Sequence, residues 1–157
     1  MQIKDRIKEL RRVPAKDIQP NPKNWRTHPG AQVEALRSSL EALGVIDALI
    51  CRELEDGSLM LIDGHLRRDE MAGQEVDVVV LDVDAQGEAE LLMLLDPVGS
   101  LAQESETKRA EILAEIDTAP WPDALVSLVG AADSPTGSEA SESPSCPRCG
   151  SKSIARA

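Results

Sequence analysis

The sequence predicts an α/β (α+β) chain, a small mixed sheet with packed helices followed by short helices and a disordered tail. Three observations predict it. Two apolar runs, in Val45–Arg52 and Leu59–Ile62, flank Glu55-Asp56-Gly57 and read as a hairpin. A third run, Val76 to Val83, is rich in β-branched residues, as a central strand is. Between these lie stretches of helical character, Ala31–Leu43 and His65–Met71.

Met1–Arg12 places Ile3, Ile7 and Leu10 on one helical face and predicts a short basic leader helix over residues 1–12. A frayed leader fits the same residues, because helices this short are marginal without packing. Val13–Ile18 is a short strand candidate. Gln19–Gly30 carries Pro20, Pro22, Pro29 and Gly30, so it is an extended loop. Inside it, Asn21-Pro22-Lys23-Asn24-Trp25-Arg26-Thr27-His28 is dense in chemistry. Arg grips phosphate bidentately, and Asn reads a base or ribose edge. Trp25 reads as a plug at the edge of a core short of large side chains.

Ala31–Leu43 puts Val33, Leu36, Leu40 and Leu43 on one face, predicted as core, and Gly44 follows as a C-cap. Cys51 lies on the hairpin and reads as a buried structural thiol. Leu59–Ile62 then runs into Asp63-Gly64, a strand stopped by a tight turn, and His65–Met71 follows without Gly or Pro. A helix opening after a strand aims free N–H groups above the turn. Arg67 and Arg68 add positive charge, and Gly64 admits a ligand to the backbone without a Cβ in the way. Together these predict an anion site, most naturally for phosphate. The rival reading is a plain strand-to-helix turn with two solvated arginines.

Glu88–Leu95 reads as a helix broken at Asp96-Pro97. Two more helices are expected over Thr107–Ile116 and Pro122–Val129. Residues 88–130 hold nine acidic side chains and two basic ones. A helix-turn-helix that reads DNA is basic on its docking face, so this acidic helical extension, 103–130, is expected to serve as a helical cover or a surface for a protein partner. Ala131–Ser145 is composed as a disordered linker. Cys146-Pro147-Arg148-Cys149-Gly150, within 146–157, is half of a zinc ribbon: Cys146 and Cys149 would supply two of the four ligands Zn²⁺ takes.

At 157 residues the chain has room for one domain plus appendages. It contains no Phe or Tyr, and Trp only at positions 25 and 121, so any core is built of Leu, Val, Ile, Ala and Met. The net charge of −11 is uneven. Residues 1–28 carry eight basic and three acidic side chains, a surplus of +5, which leaves −16 for the remainder. General charge-driven binding to nucleic acid is therefore not expected outside the head. No apolar run approaches a membrane span and no signal-peptide core follows Met1, so the chain reads as soluble and cytoplasmic.

The order strand, Asn-Pro-x-Asn-Trp-Arg loop, amphipathic helix, strand, hairpin, Asp-Gly-His-Leu-Arg-Arg turn, helix, strand resembles the N-terminal domain of the ParB and sulfiredoxin superfamily. It looks most like its single-domain bacterial and phage members. The resemblance covers residues 13–102. It implies a nucleotide, CTP or ATP/ADP, held between the two loops, with Gly64, His65, Arg67 and Arg68 on the phosphates and Asn24 and Arg26 facing them. The partition proteins read Gly-Glu-Arg-Arg-x-Arg at the turn. Here His65 stands for the Glu, Leu66 for the first Arg and Asp69 for the last, while Arg67 is kept. Sulfiredoxin carries its catalytic Cys where His65 stands, which argues against sulfinic-acid repair.

The leading expectation is a nucleotide-binding accessory or regulatory module in DNA-linked processes of a phage or mobile element. Sequence-specific DNA binding is not expected without a partner, and a homodimer is left open. One alternative is a small phosphoryl-transfer enzyme or nuclease, with Asp63 and His65 as catalytic groups and Mg²⁺ on the phosphates. The other is a non-catalytic adaptor.

Overall fold

The structure is a computed structural model, and it describes residues 1–130. The linker at 131–145 and the Cys146–Cys149 pair lie outside the described residues. The chain is mixed α/β, as its pattern predicts. Strands β1 (Ile7–Pro14), β2 (Ile18–Gln19), β3 (Leu49–Glu53), β4 (Leu59–Asp63) and β5 (Glu75–Leu81) form one sheet in the order β1-β5-β3-β4-β2. β1/β5 and β3/β4 are antiparallel, while β3/β5 and β2/β4 are parallel. The helices are α1 (Gly30–Leu43), α2 (His65–Glu70), α3 (Ala85–Gly99), α4 (Glu106–Glu115) and α5 (Asp123–Gly130).

The strands form where alternation and β-branching agree. On β5, Val76, Val78 and Val80 are buried. On the outer face between them, Asp77 takes a hydrogen bond from Arg12 of β1 at 3.1 Å. Leu49, Cys51, Leu59 and Leu61 of the hairpin complete this core with Ala15, Ile18 and Met71. Burial pushes the Cys51 thiol up to about 12, which fits a structural cysteine. The hairpin closes as expected: Leu54 N–H donates to Ser58 O at 2.8 Å and Gly57 takes φ 82°.

Four expectations are corrected. The basic leader helix over residues 1–12 is absent: residues 1–6 have no regular structure and residues 7–12 belong to strand β1, paired with β5 from Ile7↔Leu81 to Pro14↔Glu75. Ile3, Ile7 and Leu10 share a helical spacing, but all three are exposed, so no apolar face existed to bury. Pairing with the most apolar strand prevails, and Pro14 is tolerated at the strand end on the sheet edge. The helix expected to break at Asp96-Pro97 runs on to Gly99, so the missing proline N–H falls in its last turn, where little helix remains to disrupt. Leu43 of α1 is exposed, and Val33, Leu36 and Leu40 are half-buried, because α1 packs against α5 and α2 and borders the cleft described below. Trp25 is 58 % exposed and does not plug the core; its ring lies against Arg26, 5.3 Å from centroid to guanidinium carbon. No helix among the described residues is long and apolar enough to cross a membrane.

Candidate functional site

The fold brings the two chemically dense stretches to one place. β4 ends at Asp63, and Gly64 turns the chain into α2 with φ 95° and ψ 27°, a left-handed conformation that favours glycine. A Cβ on Gly64 would stand 2.4 Å from Leu49 Cδ2, which no real contact allows. The torsion favours glycine, and any Cβ here would also force the buried Leu49 side chain to shift. Opposite it lies the proline-braced loop that leads into α1.

Between them is a cleft of about 760 Å³. Its polar lining comes from Asn24, Arg26 and His28 on the loop, Gln32 and Ser39 on α1, Asp63 and His65 at the turn, Arg67 on α2 and Asp96 on α3. Its apolar side is supplied by α1 (Ala31, Ala35, Leu36) and α5 (Leu125, Leu128). Of the residues predicted to bind phosphate, Asn24, Arg26, Gly64, His65 and Arg67 all line it. Arg68 is not in the lining. Its Nε donates to Ile18 O at 3.2 Å and its Nη1 to Asp69 at 2.8 Å, so it ties α2 to β2. One residue beyond Arg67, α2 has turned that side chain to another face.

The two cleft arginines converge on one carboxylate. Arg67 Nη2 donates to Asp63 Oδ2 at 2.9 Å, and its Nη1 pairs with Asp47. Arg26 Nη1 is 3.9 Å from Asp63 Oδ1, and its Nη2 is 2.6 Å from Asp96 Oδ2. That last contact is close but off the hydrogen-bond direction, so Nη2 is buried in an ion pair with no hydrogen bond. Each guanidinium is about one-fifth exposed. Charge attraction is stronger there than at the open surface.

His65 accepts a hydrogen bond at Nε2 from the backbone N–H of Asn21, at 3.3 Å. Nδ1 then carries the ring hydrogen. Burial holds the imidazole below its ordinary 6.5, opposed by the charges of Asp63 and Asp69 and assisted by His28 and Arg26. His28 Nδ1 is 3.1 Å from Gln32 Oε1, one helical turn on.

The sequence reading passed over the residues that hold the loop. Asn21 is buried; its Nδ2 donates to Glu88 Oε1 at 2.9 Å and its Oδ1 accepts from Lys23 N at 3.0 Å. Glu88, also buried, takes a second hydrogen bond from Arg52 Nε at 2.6 Å. Trp25 Nε1 donates to Leu92 O on α3 at 3.3 Å. The loop is thus fastened to α3, β3 and the His65 turn at once. Asn21-Pro22 was the available signal, since Asn before Pro is a turn former; nothing local pointed to Glu88 or Arg52.

Among the described residues no group of three or more His, Cys, Asp and Glu side chains is placed to hold a metal ion. The expected Zn²⁺ ligands Cys146 and Cys149 fall outside those residues.

No family model and no curated protein sequence matches the chain. Solved structures do. The C-terminally truncated chromosome-partitioning protein ParB of Caulobacter crescentus, complexed with CTP-γ-S, superposes at a TM-score of 0.56 and 18 % identity, covering 77 % of this chain and 70 % of that one. The chain has a ParB-like fold. A Pnob8-like ParB-N domain matches at 0.46 and 21 % identity, over 57 % of this chain and 36 % of that one. The Caulobacter ParB complexed to its centromeric parS site matches at 0.42 and 24 %, over 52 % and 43 %.

Proposed function

We propose that the cleft is a nucleotide site and that the protein is a ParB-like nucleotide-binding module. The observation that carries this is the convergence of Arg26 and Arg67, from separate elements, on Asp63 beside the Gly64 turn. Two guanidinium groups held at one point make a phosphate clamp once the carboxylate gives way. The cleft has the volume of a small-molecule site. The ParB that superposes best of those above was solved with CTP-γ-S, which supports a nucleoside triphosphate, CTP or ATP, or the diphosphate ADP.

Gly64, His65, Arg26 and Arg67 would meet the phosphates, with Asn24 beside them. His65, with its hydrogen on Nδ1, is set to donate to a phosphate oxygen rather than to remove a proton. Asp63 and Asp96 offer oxygen ligands to a Mg²⁺ that arrives on the polyphosphate. This composition supports binding ahead of turnover. Arg68 is left out of the clamp because it is committed to Ile18 and Asp69.

The role in the cell that fits best is an accessory or regulatory part in a DNA-linked process of a phage or mobile element. The acidic surplus of residues 88–130 supports a protein partner there rather than DNA.

Equilibrium binding of CTP, ATP, ADP and GTP, with and without Mg²⁺, tests the proposal. Binding of at least one is expected; no binding of any at millimolar concentration overturns it. Steady phosphate release that disappears in His65→Ala would instead favour the phosphoryl-transfer alternative.

A further inference from the structure

Among the described residues, two side-chain polar atoms are buried without a hydrogen-bond partner: Arg26 Nη2 and His28 Nε2. They stand two residues apart on the same loop and line the same cleft. A buried polar atom left without a hydrogen bond is costly, and native folds keep few of them. Arg26 Nη2 keeps its ion pair with Asp96 at 2.6 Å, whereas His28 Nε2 has no hydrogen-bond partner among the described residues, so it is His28 that points to a ligand.

The two atoms ask for opposite chemistry. Arg26 Nη2 is a donor and already faces an anion, the Asp96 carboxylate. His28 Nδ1 faces the amide oxygen of Gln32, which can only accept, so the hydrogen sits on Nδ1. His28 Nε2 is then an acceptor and needs a neutral N–H or O–H. A free phosphate at neutral pH offers few such hydrogens. A nucleoside offers them as ribose hydroxyls or as the exocyclic amine of the base.

The apolar wall fits this polarity. Ala31, Ala35 and Leu36 follow His28 along α1, and Leu125 and Leu128 come from α5, which packs against α1. That surface suits the faces of a sugar and base, not a polyphosphate.

We propose that His28 is a specificity-determining residue of this cleft, accepting at Nε2 a hydrogen bond from the nucleoside part of the ligand, with Gln32 fixing its tautomer. The proposal rests on the nucleotide reading of the cleft. It assigns the ligand's direction: phosphates at Gly64 and Arg67, nucleoside against α1 and α5.

Calorimetry tests it on the full chain with defined probes. These are the tighter-binding of CTP and ATP, its 2′-deoxy and 3′-deoxy forms, its oxo-base counterpart (UTP or ITP), and inorganic triphosphate. The wild type is expected to lose roughly five- to twenty-fold in affinity for the one analogue that lacks the contacted hydrogen, as one neutral hydrogen bond implies. His28→Phe keeps a flat ring without the acceptor. It should bind the parent nucleotide that much more weakly, bind the faulty analogue no worse than the parent, and hold inorganic triphosphate as the wild type does. Gln32→Ala should fall between. A His28→Phe variant that still discriminates every analogue overturns the proposal, as does one that weakens triphosphate equally. Should Arg67→Ala weaken the nucleotide while His28→Phe does not, this assignment fails and the nucleotide reading stands. Should no nucleotide bind the wild type, both fail. Matching thermal unfolding of variants and wild type shows that each loss belongs to the contact.

Discussion

Asp63 Oδ2 accepts a hydrogen bond from Arg67 Nη2 at 2.9 Å, one helical turn away across the Gly64 bend. The same carboxylate lies 3.9 Å from Arg26 of the opposite loop. On the proposed nucleotide reading, Asp63 occupies the position of a phosphate between the two guanidinium groups, and an incoming anion competes with it. Asp63→Asn keeps the shape and removes the charge. In the absence of divalent cations, inorganic triphosphate should bind this variant several-fold more tightly than the wild type, a gain on the order of 1 kcal/mol. Titration calorimetry with a chelator present reads this directly. Weaker binding would mean that Asp63 assists the anion rather than competing for its partners.

Gly64→Ala tests the bend itself. The left-handed torsion and the 2.4 Å approach to Leu49 both oppose a Cβ. The variant should lose about 2–4 kcal/mol of stability in chemical denaturation. A loss below about 0.5 kcal/mol would show that the turn relaxes freely and does not hold Asp63 and Arg67 in register.

Glu88 supports the loop from beneath. Glu88→Ala removes the acceptor for both Asn21 Nδ2 and Arg52 Nε, leaving a part-buried guanidinium without its partner. The expected destabilisation is about 2–4 kcal/mol. Protection of the Asn21 amide from hydrogen exchange should fall more than that of Val78 in the sheet. Equal loss at both would mean the network serves global stability without fastening the loop.

These cases show what sequence can and cannot reveal. β3, β4 and β5 were legible because each combines apolar alternation or β-branching with a turn signal, as at Asp56-Gly57 and Asp63-Gly64. The cleft-lining residues Asn24, Arg26, Gly64, His65 and Arg67 were legible as a group because they fall in two short, dense stretches. β1 was not, because Ile3, Ile7 and Leu10 mimic a helical face and only pairing with β5 decides between the two periods. Arg68 falls outside the cleft lining for a local reason: adjacent helical positions point about 100° apart, and α2 gives one of its two arginines to the cleft. Asn21, Arg52 and Glu88 meet across 31 to 67 residues of chain, a coincidence that no local pattern encodes.

His65 gives the fold a pH dependence. Burial holds its folded-state pKa below the 6.5 of a free imidazole. As pH falls through 6.5 the unfolded chain takes up a proton first, so stability declines until the folded-state pKa is reached and then levels off. The charged ring also loses the Nε2 lone pair that accepts from Asn21 N–H. Between pH 7.5 and 5.5 the wild type should lose more stability than His65→Leu does. Parallel curves for the two proteins would assign the decline to other groups.

Cys51 should be inert in the folded state. Its thiol is buried in the sheet and pushed up to about 12, so almost no thiolate forms near neutral pH. Alkylation followed by peptide mass spectrometry should find Cys51 unmodified in native protein and modified in denaturant. Labelling within minutes under native conditions would contradict the packing described for β3.

The most direct test of the nucleotide site is calorimetric titration of CTP and ATP into the wild type and Arg67→Ala. At least one nucleotide is expected to bind the wild type, with a loss of roughly tenfold or more in the variant, as for one charge-assisted contact worth about 1.5–3 kcal/mol. Nucleotide binding that Arg67→Ala leaves unchanged would place the site elsewhere, and no binding to the wild type would contradict the account outright.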